Sequence, residues 1–234
     1  MRIDILTLFP QMFEGVLRES ILGRALEKNL LSVNMIDIRE FSTNKHRKVD
    51  DYPYGGGRGM LMAVTPIYNA YKSILNHSDK KPYVIYMSPQ GRIFNQGVAR
   101  DLSKKEHIVL LCGHYEGIDQ RIIDEIVDEE ISVGDYVLTG GEIPAMIVVD
   151  CVARLIPNVL PDEECFLDES HTNGLLEYPQ YTRPREFLGR DVPYVLLSGN
   201  HEKIKEWRHE KSIENTKIKR PDLYKEYMKK HLKG

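Results

Sequence analysis

From its first residues the chain alternates short apolar runs with stretches whose apolar residues recur at helical spacing. Residues 3–9 (IDILTLF) and 32–38 (SVNMIDI) predict strands, with a helical stretch from about Pro10 to Lys28 between them. A helix follows over residues 65–76, with Thr65 as its cap and Pro66 at its first position. Beyond it the pattern predicts a strand at 83–89 (YVIYMSP), a helix at 95–104, a strand at 107–113 (HIVLLCG), a helix at 119–128 and the run ISVGDYVLTGG at 131–141. The strands are continuous apolar runs, as expected of strands covered on both faces, so the fold class is α/β with a mostly parallel sheet.

Residues 143–157 (IPAMIVVDCVARLIP) predict a helix starting at Pro144, interrupted only by Asp150 and Arg154. A helix apolar almost all round is buried in a core or against a second subunit. From Asn158 to Thr182 the composition turns polar and loses its period, as in a linker or a functional loop. Asn200 then caps one helix (HEKIKEWRHEKSI) and Pro221 opens another (PDLYKEYMKKHL). The expected organisation is a large α/β domain over 1–157, a linker over 158–182 and a small helical domain over 183–234.

Charged residues at 29% and hydrophobic ones at 41% of 234 residues describe a soluble globular chain. No window approaches the roughly 20 apolar residues of a membrane span. The start, MRIDILTLFP, lacks a signal-peptide cleavage pattern. Cys112, Cys151 and Cys165 are too few for a disulfide framework, so a reducing cytoplasm and no membrane partner are expected. The net charge of -3 hides an asymmetry: residues 201–234 hold 11 Lys+Arg against 6 Asp+Glu, or +5, leaving -8 elsewhere. The basic end is either a polyanion-binding surface or a solvated helix face.

The glycine cluster DDYPYGGGRGMLM (50–62) invites a phosphate-loop reading, and the sequence refuses it. No Lys-Ser or Lys-Thr follows the glycines, as a P-loop requires. Polar residues precede them where a dinucleotide fold needs a strand. What remains is a flexible loop carrying Arg58 and flanked by NKHRK (Asn44–Lys48), either a nucleic-acid contact or an ordinary surface loop.

Three further turns follow predicted strands: YMSPQG (86–91), CGHYEGID (112–119) and SVGDYVLTGGEIP (132–144). Ligands of open α/β sheets bind outside the carboxyl ends of strands. These turns hold no lysine or arginine, which disfavours a triphosphate and favours an adenosine-like ligand read by backbone groups. Glu116, Asp135 and Glu142 are the acidic exceptions; Glu116 either favours a cationic ligand or is a solvated surface residue.

Taken together, YGGGRGMLM, SPQG, LCGHYEGIDQR, ISVGDYVLTGGE, VDCVARLIP and GLLEYPQYTRP resemble the bacterial tRNA (guanine-N1)-methyltransferases, a family with a trefoil-knotted α/β fold. The resemblance runs from LFPQMF to the C-terminal WR and RPDLY. It implies a homodimer whose active site is shared between subunits, binding bent S-adenosylmethionine within a knot in the large domain. Its substrate is tRNA, methylated on N1 of the guanosine immediately 3′ of the anticodon when another guanosine precedes it.

Carried over residue by residue, the resemblance implies cofactor contacts from Tyr86, Met87, Ser88, Pro89, Gly113, Tyr115, Glu116, Ser132, Val133, Gly134, Asp135, Tyr136, Val137, Leu138, Gly140, Gly141 and Pro144. RNA contacts fall to His46, Arg47, Gly55, Gly56, Gly57, Arg58, Gly59, Ser170 and Arg183. Arg154 matches the family's assisting arginine; on the residues alone the leading reading is a structural pair with Asp150, four residues earlier on one helix face. At the base the chain departs from the family: register from GLLEYPQYTRP puts Glu169 where the family carries aspartate, and Asp168 is the alternative. The cysteines, His114 and His171 show no metal-ligand spacing, so no structural zinc is expected, while the resemblance leaves room for a divalent cation such as magnesium. The competing readings are a knotted methyltransferase acting at another RNA position, and a weakly catalytic RNA- or cofactor-binding protein.

Overall fold

Strand order decides where this protein can bind a ligand. The computed structural model describes residues 1–161 and 169–231. The chain divides into two compact units, Met1–Pro161 and Asp162–Gly234. The first unit contains β1 (Arg2–Thr7), β2 (Ser32–Asp37), the two-residue strands β3 (Asp50–Asp51) and β4 (Leu61–Met62), β5 (Tyr83–Ile93), β6 (His107–Cys112) and β7 (Glu129–Ser132). Five of them form one sheet in the order β2-β1-β6-β5-β7, every pair parallel. Parallel neighbours need crossover helices, so both faces of this sheet are covered.

The strand residues alternate between two cores. Ile3, Ile5, Ile85, Met87, Ile108, Leu110 and Cys112 face α1 (Glu14–Arg18), α2 (Ser20–Glu27), α4 (Gln96–Ser103) and α6 (Glu142–Ala153). Leu6, Val84, Tyr86, Val109 and Leu111 face α3 (Val64–Leu75) and α5 (Gln120–Ile126). Asn95 and Asp119 cap α4 and α5 by accepting from the amides of Val98 and Arg121.

Three elements differ from the pattern-based expectation. The helical stretch 10–28 is three pieces: a 3-10 turn (Pro10–Phe13), α1 and α2. The break falls at Glu19, which is extended, and Ser20, at φ +57°. The turn there brings the chain back on itself, so that Gly23 lies against the carbonyl of Arg18. The helix expected from a Thr65 cap begins two residues earlier, with Ala63 at the cap position and no side-chain cap. Its start is set by a ladder bond from Ala63 N to Val49 O at 2.8 Å. Pro66 is still harmless there, because first-turn amides have no partner within the helix. Of the run 131–141, only Ile131 and Ser132 are strand; the rest is turn.

The second unit holds a hairpin of β8 (Glu186–Phe187) and β9 (Arg190–Asp191), then α7 (Tyr194–Leu197), α8 (His201–Lys219) and α9 (Pro221–His231). Asn200 caps α8 by accepting from Lys203 N at 3.1 Å. Thr216, fully buried on α8, accepts the amide of Leu176 at 2.8 Å and donates to Ser212 O at 2.6 Å. Among the described residues no helix is long and apolar enough to cross a membrane.

At the edge of the sheet away from the turns, Asp4 is fully buried. Its carboxylate accepts from Arg2 Nε (3.1 Å) and Asn34 Nδ2 (2.8 Å), and lies 2.8 Å from both Arg2 Nη2 and His107 Nε2. These partners belong to three adjacent strands. Removing one side of such a buried constellation leaves the rest uncompensated. Asp4→Ala should therefore cost about 3 kcal/mol and raise amide exchange across Ile108–Leu111. Exchange is the suitable readout, since the single tryptophan, Trp207, sits in the second unit.

Candidate active site

The carboxyl ends of β6 and β7 and the middle of β5 surround a cleft of about 320 Å³. The segment 86–91, expected as a turn, is instead continuous strand, because β5 shifts its register against β7 between Met87 and Arg92 and pairs again beyond the shift. The walls of the cleft come from Tyr86–Gln90, Gly113–Ile118 and the turn that leaves β7 for α6. Two backbone bonds hold these segments together: Gly141 N to Gly113 O at 3.0 Å and Phe94 N to Ser132 O at 2.8 Å. Within the last turn, Ser132 Oγ donates to Gly134 O at 3.1 Å and Tyr136 OH donates to Val133 O at 3.2 Å. No lysine or arginine lines the cleft among the described residues, whereas Glu116 and Glu130 do. Burial, and then the charge of Glu130, pushes the Tyr86 phenol above its ordinary value, so this ring is neutral at working pH. Tyr115 stands in the left-handed region at φ +60°, a cost of roughly 1 kcal/mol that the surroundings must hold in place.

Behind the cleft lies a buried polar trio. Glu142, the first residue of α6, is 1% exposed. Its carboxylate meets His114 Nε2 at 2.7 Å and accepts from Thr7 Oγ1 at 2.6 Å. The Thr7 oxygen in turn accepts the amide of Phe9 at 2.9 Å, and the Phe9 ring lies edge-on to His114 with centroids 4.9 Å apart. Burial, and then the Glu142 charge, pushes the neighbouring Cys112 thiol well above its ordinary value, leaving it inert.

The glycine loop joins the same structure. The antiparallel β3–β4 pair closes its base. From there Glu116 N donates to Met60 O at 3.0 Å, Met62 N to Gly117 O at 2.9 Å and Asp119 N to Met62 O at 3.2 Å. Gly59 sits at φ +84°, and a Cβ there would fall 2.4 Å from Cγ of Glu116. The loop is thus strand-paired, at its carboxyl end, to the turn that forms one wall of the cleft. Its outer part is open: Gly55, Gly56, Gly57 and Arg58 are exposed, and Tyr54 is 98% exposed.

A family model described as tRNA (Guanine-1)-methyltransferase TrmD matches residues 1–226 of the chain. The chain belongs to this family. Among similar proteins is the tRNA (guanine-N(1)-)-methyltransferase of Ruminiclostridium cellulolyticum, 59% identical over 99% of this chain and 100% of that protein. Proteins of the same name from Clostridioides difficile (59% identical, 96% of this chain, 98% of that protein) and Staphylococcus carnosus (56%, 97% and 92%) match as fully.

Of the cofactor residues expected for a tRNA (guanine-1)-methyltransferase, the cleft brings together Tyr86, Met87, Ser88, Pro89, Gly113, Tyr115, Glu116, Ser132, Val133, Gly134, Tyr136, Val137, Leu138, Gly140, Gly141 and Pro144. Asp135 is exposed and does not line it. Among the described residues, nine further ones line the cleft and were not anticipated. Gln90, His114, Gly117, Ile118 and Thr139 lie inside the segments 86–91, 112–119 and 132–144, so their position was the available signal, whereas Gln120, Ile123, Glu130 and Ile131 lie outside them. Of the expected RNA residues, His46, Arg47 and Arg183 are exposed, while half-buried Ser170 accepts the amide of Glu177 at 3.0 Å. Arg154 caps the carboxyl end of α6 and is half-buried in the first unit. Glu169 is half-buried in the second, where its carbonyl accepts Thr172 N at 3.2 Å. Asp168 and Cys165 lie outside the described residues. Among the described residues no cluster of three or more His, Cys, Asp or Glu is placed to hold a metal ion.

The contact between Gly59 and Glu116 carries a structural prediction. In Gly59→Ala the new methyl must displace the Glu116 side chain and strain the backbone. Amide exchange at Glu116 and Met62 should rise at least tenfold, with Val109 and Leu110 as protected as before. Unchanged exchange at Glu116 would show that the loop is not tied to the cleft wall.

Proposed function

We propose that this chain transfers a methyl group from S-adenosylmethionine to N1 of the guanosine immediately 3′ of a tRNA anticodon. The observation that carries the reading is the convergence of three glycine-bearing segments, two of them turns, on one cleft in a chain of this family. The cleft fits such a ligand: its volume is in the range of small-molecule sites, backbone groups of Gly113, Gly140 and Gly141 face it, and its charged groups are carboxylates. Bound there, S-adenosylmethionine supplies an electrophilic methyl on a sulfonium leaving group. Tyr86 to Pro89 and the turn from Val133 to Gly141 would hold the adenosine portion. The Glu116 carboxylate suits the positive charge. On the family resemblance, these wall segments are the trefoil knot.

The chain's own chemistry is then proton removal and charge stabilisation. Guanine N1 carries a proton, which Glu169 would take as the bond to N1 forms. Negative charge develops toward O6, where the Arg154 guanidinium would offset it. The glycine loop, with His46, Arg47 and Arg58 about it, would present the RNA. In the second unit, Ser170, Arg183 and the basic residues beyond 201 would contact RNA. Phe9, Met12, Val16, Ile143 and Ile147 are 37% to 46% exposed on α6 and the adjoining 9–18 segment. Such an apolar set supports a homodimer, with each site completed by the partner.

The test uses labelled S-adenosylmethionine and tRNA transcripts bearing guanosine or adenosine next to the anticodon. Label should enter the guanosine transcript alone; cofactor binding without transfer would leave the protein a binder and sink the enzyme reading. Glu169→Gln and Arg154→Ala should each lower kcat by about 100-fold or more, with cofactor affinity within about twofold of the parent. A fully active Glu169→Gln beside an inactive Asp168→Asn would move the base to Asp168.

A further inference from the structure

The Glu142 carboxylate has no place in the chemistry above, and folding alone does not call for it. An ion withdrawn from water carries a desolvation cost of several kcal/mol, and apolar groups of similar size commonly serve a core as well or better. Glu142 nevertheless stands behind the cleft wall, between the lining residues Gly141 and Pro144, at 1% exposure and with both oxygens engaged. Its partners show what it holds. His114 lies between Gly113, whose carbonyl receives the bond from Gly141, and Tyr115, whose backbone is in the left-handed region at φ +60°. Gly140 leaves room for the pair: a Cβ there would fall 2.3 Å from Cε1 of His114 and 2.7 Å from Oε2 of Glu142. Thr7, at the end of β1, fixes the other carboxylate oxygen and so the rotation of the group about its own axis.

We propose that Glu142 is a positioning residue for the cofactor: through His114 it holds the turn bearing Tyr115 and Glu116 at its set distance from the Gly140–Gly141 turn. The inference rests on the cofactor reading of the cleft. A single backbone bond between two turns leaves them free to hinge about it. The Glu142–His114 bond is a second tie, made by side chains, and two ties define a fixed wall. With the carboxylate as acceptor, His114 donates from Nε2 and its ring orientation follows. Phe9, edge-on to the imidazole, blocks the alternative in which the ring swings away.

The test measures S-adenosylmethionine affinity by calorimetry together with amide exchange in the ligand-free protein. Glu142→Ala should raise the cofactor Kd at least tenfold and increase exchange at Tyr115 and Gly141. The KM for tRNA should stay within about twofold. Glu142→Gln should restore affinity to within about threefold of the parent, because its amide can accept from Thr7 and donate to the other neutral tautomer of His114. Thr7→Val, nearly isosteric, removes the bond to Glu142 and also the acceptor of the Phe9 amide; it should raise Kd by at least about fivefold, and it keeps the test open if Glu142→Ala fails to fold. A purely structural role would lower the melting temperature and leave the Kd of the folded fraction unchanged; that result overturns the proposal, as does a glutamine variant as weak as alanine. A parent protein that binds no S-adenosylmethionine would instead defeat the cofactor reading itself.

Discussion

The bond from Gly141 N to Gly113 O, 3.0 Å long, is the constraint on which the rest of the site depends. Parallel strands end at a common edge, but nothing in a parallel sheet fixes the turns that leave it. Here β6 and β7 lie on opposite sides of β5, so their turns must reach across that strand to meet. The turn from β7 can do so because α6 anchors its far end: Ala145, Val148, Val149, Val152 and Ala153 are fully buried against the sheet. Packing of an almost wholly apolar helix therefore sets the position of two glycines, and those glycines set the cleft. Each step is a packing or hydrogen-bond requirement rather than a preference of the turn itself.

A second consequence concerns the two sides of the reaction. The glycine loop and the cleft wall are not independent structures, because residues 60–62 run as a ladder beside residues 114–119. Gly59 and Glu116 are neighbours across that ladder, close enough that only glycine fits. Movement of the loop toward RNA would act on the same backbone that places Glu116, without any intervening element. The distinction between a substrate loop and a cofactor loop, natural from the sequence, describes two ends of one hydrogen-bonded unit.

Most of the sheet was legible because its strands are buried on both faces, and such strands read as unbroken apolar runs. The wall segments were legible through glycines that sit where chains approach closely, as Gly91 and Gly141 do, although 86–91 proved to be strand and a Cβ at Gly55 or Gly56 would meet nothing. The breaks inside 10–28 were not, since Glu19 and Ser20 carry no signal against helix and the kink is imposed by packing. β3 and β4 escaped for a different reason: two residues show no period, and their pairing comes from loop closure. Glu142 was visible only as an acid at the start of a helix, where solvated acids are common and favourable. Its burial comes from residues 28 and 135 positions away, which no local pattern reports.

Glu169 stands at the limit of that legibility, and the second unit bears on how a glutamate could serve where the family carries aspartate. Residues 169–177 close on themselves: His171 N donates to Leu175 O at 2.8 Å, Thr172 N to Glu169 O at 3.2 Å and Glu177 N to Ser170 Oγ at 3.0 Å. Leu175 is 2% exposed beneath this turn, and Leu176 is bonded to Thr216 of α8. A backbone so tied cannot slide by a bond length to compensate for the extra methylene. The adjustment falls to the side chain, whose additional torsion lets the carboxylate fold back toward the position a shorter residue would occupy. That costs rotamer freedom, on the order of 1 kcal/mol, which is small beside the 100-fold or greater effect expected of a positioned base. On the proposal that Glu169 is the base, a cost of this size leaves most of that effect in place.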